Sequence, residues 1–210
     1  MFKTLLSETQ FLPPIEFFCC LQQAENHVIE AYEHYQKQTY RTRCYILGAN
    51  HIQCLSVPVI KPSGKVPTRD VQIDKGAKHI NEHWRSIQSA YGKAPFFEFF
   101  AEYFQQIFEH PPTYLIDWNH QLLTICLKLL NMTKDISITE NYVETSNEDI
   151  LDIRSAITPK THFTNRPYYQ AVSYHQTFGK DFVPNLSIID LLMNEGPRSQ
   201  EVVTKSVKRE

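Results

Sequence analysis

The sequence predicts a single α/β domain: a mixed sheet, built from an N-terminal β-α-β unit and a hairpin, covered by a three-helix layer. Three observations carry this reading. Apolar runs flank a Pro13-Pro14 pair near the N-terminus, a turn cluster separates two β-prone runs in residues 41–60, and segments between residues 78 and 130 repeat apolar residues at helical spacing. With 42% hydrophobic and 21% charged residues, the 210-residue chain can bury one sizeable core. The domain is expected over residues 1–201, with 202–210 a charged, frayed tail.

Residues 2–6 read as a strand. Pro14 opens a helix to Gln23, because proline's missing N–H costs nothing in a first turn. His27 to Ala31 reads as a second strand, and a β-α-β opening favours a parallel pair. Arg41–Leu47 and Ile52–Ile60 flank Gly48-Ala49-Asn50-His51 and read as an antiparallel hairpin. An even-numbered turn puts Cys44 on one face with Leu55 and Val57, and Arg43 and Tyr45 on the other with Cys54 and Ser56. Residues 61–69, with Pro62, Gly64 and Pro67, read as loop, and 70–74 as a short strand.

Helices follow over Lys78–Tyr91, where Ile80, Trp84, Ile87 and Tyr91 form a stripe before Gly92, over Pro95–Phe108, and over Tyr114–Leu130. Residues 135–164 alternate weakly and suggest short strands and turns. Leu186 to Asn194 reads as a short helix ended by Gly196-Pro197.

A formal net charge of −2 removes any general drive toward nucleic acid or anionic membrane, so an anion site must be local. Neither G-x-G-x-x-G nor G-x-x-x-x-G-K-[ST] occurs. Five cysteines without a C-x-x-C pair predict free thiols and a reducing compartment, hence a cytoplasmic protein. No stretch approaches the ~18 apolar residues of a membrane span, so no membrane insertion is expected.

The densest chemical signal is Tyr35 to Tyr45, where Lys37, Arg41 and Arg43 alternate with Tyr35, Tyr40 and Tyr45, and the next loop adds Lys61. Arginines spaced by two on a strand share a face, where their planar forks suit a phosphate or carboxylate and the tyrosines can stack on a base or sugar. The same charges also suit a solvated edge that blocks aggregation. His83 is the best-placed imidazole for acid–base work, and Asn119 is a polar interruption in an apolar helix. His79 and His83 stand at i, i+4, but no third ligand accompanies them, and neither a metal nor a cofactor is expected. Phe96, Phe97, Phe99, Phe100, Phe104 and Phe108 cover more than one helix face; core is the simpler use, and a homo-oligomeric contact the other.

Four blocks carry a resemblance: Phe11-Leu-Pro-Pro-Ile-Glu-Phe-Phe18, Tyr35 to Cys44, His83-Trp84-Arg85 with Tyr91 to Phe97, and Phe182 to Pro197. In order and spacing they resemble the WbqC-like family, in its short Bacteroides-group form. Lys37, Arg43, His83, Pro95, Asn119, Asn185 and Asp190 match its pattern. The resemblance implies a role in O-antigen or other surface-polysaccharide biosynthesis. It departs from longer relatives at Glu8-Thr9, where they carry Gln-Pro, and at Thr42, where they carry Asn. Resemblance and residues together lead to two expectations. One is an acyl- or aminoacyl-transferase modifying a nucleotide-linked amino-sugar, with His83 and Asn119 catalytic and Tyr35, Lys37, Tyr40, Arg41, Arg43 and Lys61 binding the nucleotide-sugar or another anionic small molecule. The other is a noncatalytic module that binds a glycan intermediate or partner enzyme through the same basic-aromatic face.

Overall fold

The computed structural model of the protein describes residues 1–61, 63–76, 79–145 and 147–208, with 79–81 as backbone alone. Pro62, Lys78, the side chains of His79 and Ile80, and residues 209–210 of the expected tail lie outside the described residues.

The chain opens as expected with β1 (Phe2–Glu8), α1 (Ile15–Gln22) and β2 (Ala24–Glu30). β1 and β2 pair in parallel, Leu5 opposite His27 and Glu8 opposite Glu30. α1 is buried from Ile15 through Leu21, so its polar Glu16 needs an internal partner. Arg166 supplies it: Nε and Nη2 reach the two Glu16 carboxylate oxygens at 2.8 and 2.6 Å.

The hairpin is β3 (Arg43–Leu47) and β4 (Ile52–Ser56). Its register, with Cys44 opposite Leu55 and Tyr45 opposite Cys54, is the one the even-numbered turn predicts. It does not join the main sheet, and here the expected single mixed sheet is corrected. The four-stranded sheet has the order β5-β2-β1-β6 and is parallel throughout, whereas β3 and β4 form a separate two-stranded sheet. The outer strands β5 (Asp135–Ile138) and β6 (Ile150–Asp152) come from the weakly alternating region. They occupy the free edges of β2 and β1, leaving the hairpin no partner there.

Three helices follow, α2 (His79–Tyr91), α3 (Phe97–Glu109) and α4 (Leu115–Leu129). Trp84 stacks against Phe97 and Phe108, while Phe108 and Trp118 meet edge-on. Phe11, from the loop after β1, inserts among His83, Phe108 and Trp118. α2 also packs on β3 and on α5 (Ile188–Glu195). The phenylalanine-rich helix splits its surplus: Phe104 and Phe108 are buried, and Phe99 is 70% exposed.

The segment read as a strand at 70–74 makes only isolated bridges, Gln72 with Tyr114 and Ile73 with Val59. The expected frayed tail is also corrected. Ser199–Ser206 form α6, which packs on α1 and buries Val203 completely. No helix among the described residues is long and apolar enough to cross a membrane. All five cysteines are free, as their number and spacing predict.

Candidate functional site

Parallel strands direct their carboxyl ends to one edge of the sheet. β1 leads to β2 and then β5 on one side, after which the chain returns to place β6 on the other side of β1. The order therefore reverses between β1 and β6, and crevices at such a reversal are where open α/β sheets bind ligands.

The two central strands end there in adjacent, fully buried carboxyl groups, Glu8 and Glu30. Glu30 is saturated: Oε1 accepts from Tyr32 N and Thr139 Oγ1, each at 2.9 Å, and Oε2 from Val143 N at 2.9 Å and Arg154 Nη1 at 3.2 Å. It thereby ties the β5–β6 connection to the sheet. Glu8 accepts from Gln10 Nε2 at 3.0 Å and from the Ser155 N–H at 2.8 Å, with Arg41 Nη1 at 3.9 Å. Burial pushes the Glu8 carboxyl above its ordinary pKa by more than Arg41 and the Ser155 N–H pull it down.

Arg41 lies at the centre of the cluster with its side chain wholly buried. Nε and Nη2 each reach one Glu33 carboxylate oxygen at 2.7 Å, a bidentate fork, while Nη1 donates to Thr39 Oγ1 at 3.3 Å and Nη2 also to Ser155 Oγ at 3.2 Å. Asn119 Nδ2 donates to the Arg41 carbonyl at 2.9 Å, so α4 fixes the backbone from which this guanidinium projects. Thr9 Oγ1, Gln10 Oε1 and Asn119 Oδ1 are buried with no hydrogen-bond partner among the described residues, polar capacity that ordinary cores avoid.

Above the cluster opens a cavity of about 830 Å³, lined by Tyr32, Glu33, His34, Gln36, Tyr142, Asp152, Arg154 and Ser155. A second of about 430 Å³ shares the Tyr32 wall and adds Arg69, Asp70, Tyr114, Asp117 and Glu140. Each arginine of this cleft lies over a tyrosine, Arg69 over Tyr32 at 4.9 Å and Arg154 over Tyr142 at 5.1 Å. Burial works to raise Asp152, but hydrogen bonds from Arg154 and Thr145 outweigh it and hold the carboxyl below its usual range.

The expected site residues divide. Arg41 is at the cluster, but as a buried partner of Glu33 it has no free fork for a phosphate. Nor does it share a strand face with Arg43, since β3 begins at Arg43 and residues 39–42 turn. Arg43 is half-buried on the hairpin, near Tyr45, and Lys37 and Lys61 are exposed; none of the three lines the cleft. Burial raises the half-buried Tyr35 hydroxyl, against a hydrogen bond with Thr42 that lowers it. Tyr40 belongs to a different cavity, about 310 Å³, with Tyr45, Phe163 and Arg166. His83 is 5% exposed and packs on Phe11, and Asn119 is 1% exposed. Neither lines the cleft; the imidazole in its wall is His34.

The sequence reasoning missed Glu8, Glu30, Glu33, Arg154 and Ser155. A signal for two of them was present: Glu8 and Glu30 each end an apolar run of strand character, Leu5-Leu6 and Val28-Ile29.

Fold and site thus define an α/β protein with a polar, aromatic-walled cleft at the reversal point of a parallel sheet. The chain belongs to the WbqC-like protein family, whose model matches residues 9–168 and 160–202. It is also similar to the uncharacterized protein Rv1507c of Mycobacterium tuberculosis (strain ATCC 25618 / H37Rv), 25% identical over 226 residues that cover 96% of this chain and 97% of that protein. No solved structure matches the chain.

Proposed function

We propose that this protein is an enzyme of surface-polysaccharide biosynthesis that modifies a nucleotide-linked amino-sugar in the cleft at the strand ends, by acyl or aminoacyl transfer. The observation that carries the reading is the cleft's chemistry. Glu33 and Asp152 can hold an ammonium or sugar hydroxyls, Tyr32 and Tyr142 offer ring faces to a sugar, and Arg69 is the local cation that a diphosphate requires in a neutral protein.

Attack by a sugar amine needs a proton acceptor, and an imidazole suits that task near neutral pH. His34 takes this role in place of His83. His83 and Asn119 act as positioning residues, through Phe11 and the Arg41 carbonyl. The second reading, a noncatalytic binder of a glycan intermediate, is favoured by the absence of the expected catalytic pair, His83 and Asn119, from the cleft wall.

Calorimetric titration with UDP- and dTDP-linked amino-sugars tests the binding. The wild type is expected to bind, and loss of the exposed Tyr142 ring in Tyr142→Ala to weaken binding about tenfold. Equal affinity of the two proteins would remove the cleft from consideration. Mass spectrometry of the sugar after incubation with an acyl thioester separates the readings. A transferase shifts the sugar's mass and loses that activity, with affinity kept, in His34→Ala. A binder leaves the sugar unchanged.

A further inference from the structure

Ser155 follows β6 at the point where the strand order reverses, and three features set it apart. Its φ is +58°, a left-handed conformation that glycine or asparagine adopts far more readily than serine. Its N–H is fixed on the buried Glu8 carboxyl at 2.8 Å. Its Oγ accepts from Arg41 Nη2 and from Gln36 Nε2, both at 3.2 Å, while the residue stays exposed in the cleft wall. Both partners are donors, so they occupy the oxygen's lone pairs and leave the hydroxyl hydrogen to point elsewhere.

We infer that Ser155 is a ligand-contacting residue whose hydroxyl donates to a neutral oxygen of the sugar, a hydroxyl or carbonyl, and that its strained backbone is kept for this contact and not for the fold. The choice of a neutral oxygen follows from charge. Around Ser155 the carboxyl groups of Glu8, Glu30, Glu33 and Asp152 outnumber the guanidinium groups of Arg41 and Arg154, so a phosphate would meet net repulsion. The inference rests on the sugar-nucleotide reading above and adds an orientation: sugar over Ser155, phosphates toward Arg69.

Three proteins test it: wild type, Ser155→Ala and Ser155→Gly. Ser155→Ala is expected to bind UDP-glucosamine about five- to tenfold more weakly and UDP unchanged. Ser155→Gly, which also loses the hydroxyl but relieves the backbone, is expected to melt at or above the wild type and roughly 2–4 °C above Ser155→Ala. Parallel weakening of UDP would overturn the sugar contact in favour of a phosphate. A Ser155→Gly protein melting below the wild type would show that the hydroxyl is a strut between Arg41 and Gln36, and the inference falls. If the wild type binds neither UDP-glucosamine nor glucosamine, the sugar reading fails by itself, and the order of melting temperatures still decides whether Ser155 is strained for the fold.

Discussion

Glu8 and Arg41 show how far a residue's type can mislead about its use. Arg41 stands in a basic, aromatic segment and reads as a surface cation, yet it is buried, bidentate to Glu33 and shared with the Glu8 carboxyl. Removing one member of such a pair leaves a buried charge uncompensated, a loss of about 3–5 kcal/mol. Glu8 is the less balanced of the two acids, because the fork goes to Glu33 and Glu8 is left with the longer contact at 3.9 Å. Its raised pKa means that the folded protein binds this proton more tightly than the unfolded chain. The stability linked to it is therefore complete at acid pH, and it is lost as pH climbs from the ordinary carboxyl range through the raised value. Glu8→Gln keeps the shape and removes the titration. Its melting temperature is expected to exceed the wild type's by a margin that grows as pH rises above the ordinary carboxyl range. A margin constant with pH would show that the Glu8 pKa is the same in the folded and the unfolded protein. None of this was legible in the sequence, since burial of a loop arginine depends on the Glu33 fork and on Asn119 arriving from α4.

Elements were most legible where local chemistry alone decides them. Pro13-Pro14 marks the start of α1, the 48–51 cluster sets the hairpin register, and the Trp84, Ile87, Tyr91 stripe marks α2. β5 and β6 were least legible: they have four and three residues, and each is held at a sheet edge by a strand far away in sequence. The turn after α5 was legible in type but not in consequence. Gly196 has φ +53° and ψ −125°, and a Cβ there would lie 2.3 Å from the Phe96 ring, whose own N–H donates to the Met193 carbonyl at 3.0 Å. Backbone strain and overlap act together. Gly196→Ala is expected to cost about 2–4 kcal/mol in urea unfolding, by separating α5 from the start of α3. A loss under about 0.5 kcal/mol would mean that Phe96 can swing away freely.

For the molecule as a whole, the α/β class was legible from alternation of element types, but the strand order was not, because neither neighbour of the β1–β2 pair is adjacent to it in sequence. The cysteines give a test of the whole core at once. Cys19, Cys20, Cys44 and Cys126 are at most 1% exposed, and burial raises each of their thiols, whereas Cys54 is exposed on the outward hairpin face. A thiol reagent such as dithionitrobenzoate is expected to react with one group per chain in native buffer and with all five in denaturant. A second fast thiol in the native protein would place a gap in the core, and fewer than five in denaturant would place a disulfide.

The pairing of α1 with α6 constrains the order in which the protein can be made. Val203 is fully enclosed, its carbonyl faces the Cys19 thiol at 3.7 Å, and Met1, Phe2, Gln23, Thr204 and Val207 line one small cavity. During synthesis β1 and α1 emerge long before the helix that covers them. A nascent chain without residues 199–206 carries α1, apolar nearly all round, with one side open to solvent or to a chaperone. The domain cannot close until α6 has left the ribosome, and a stop codon just before that helix would remove the cover from α1.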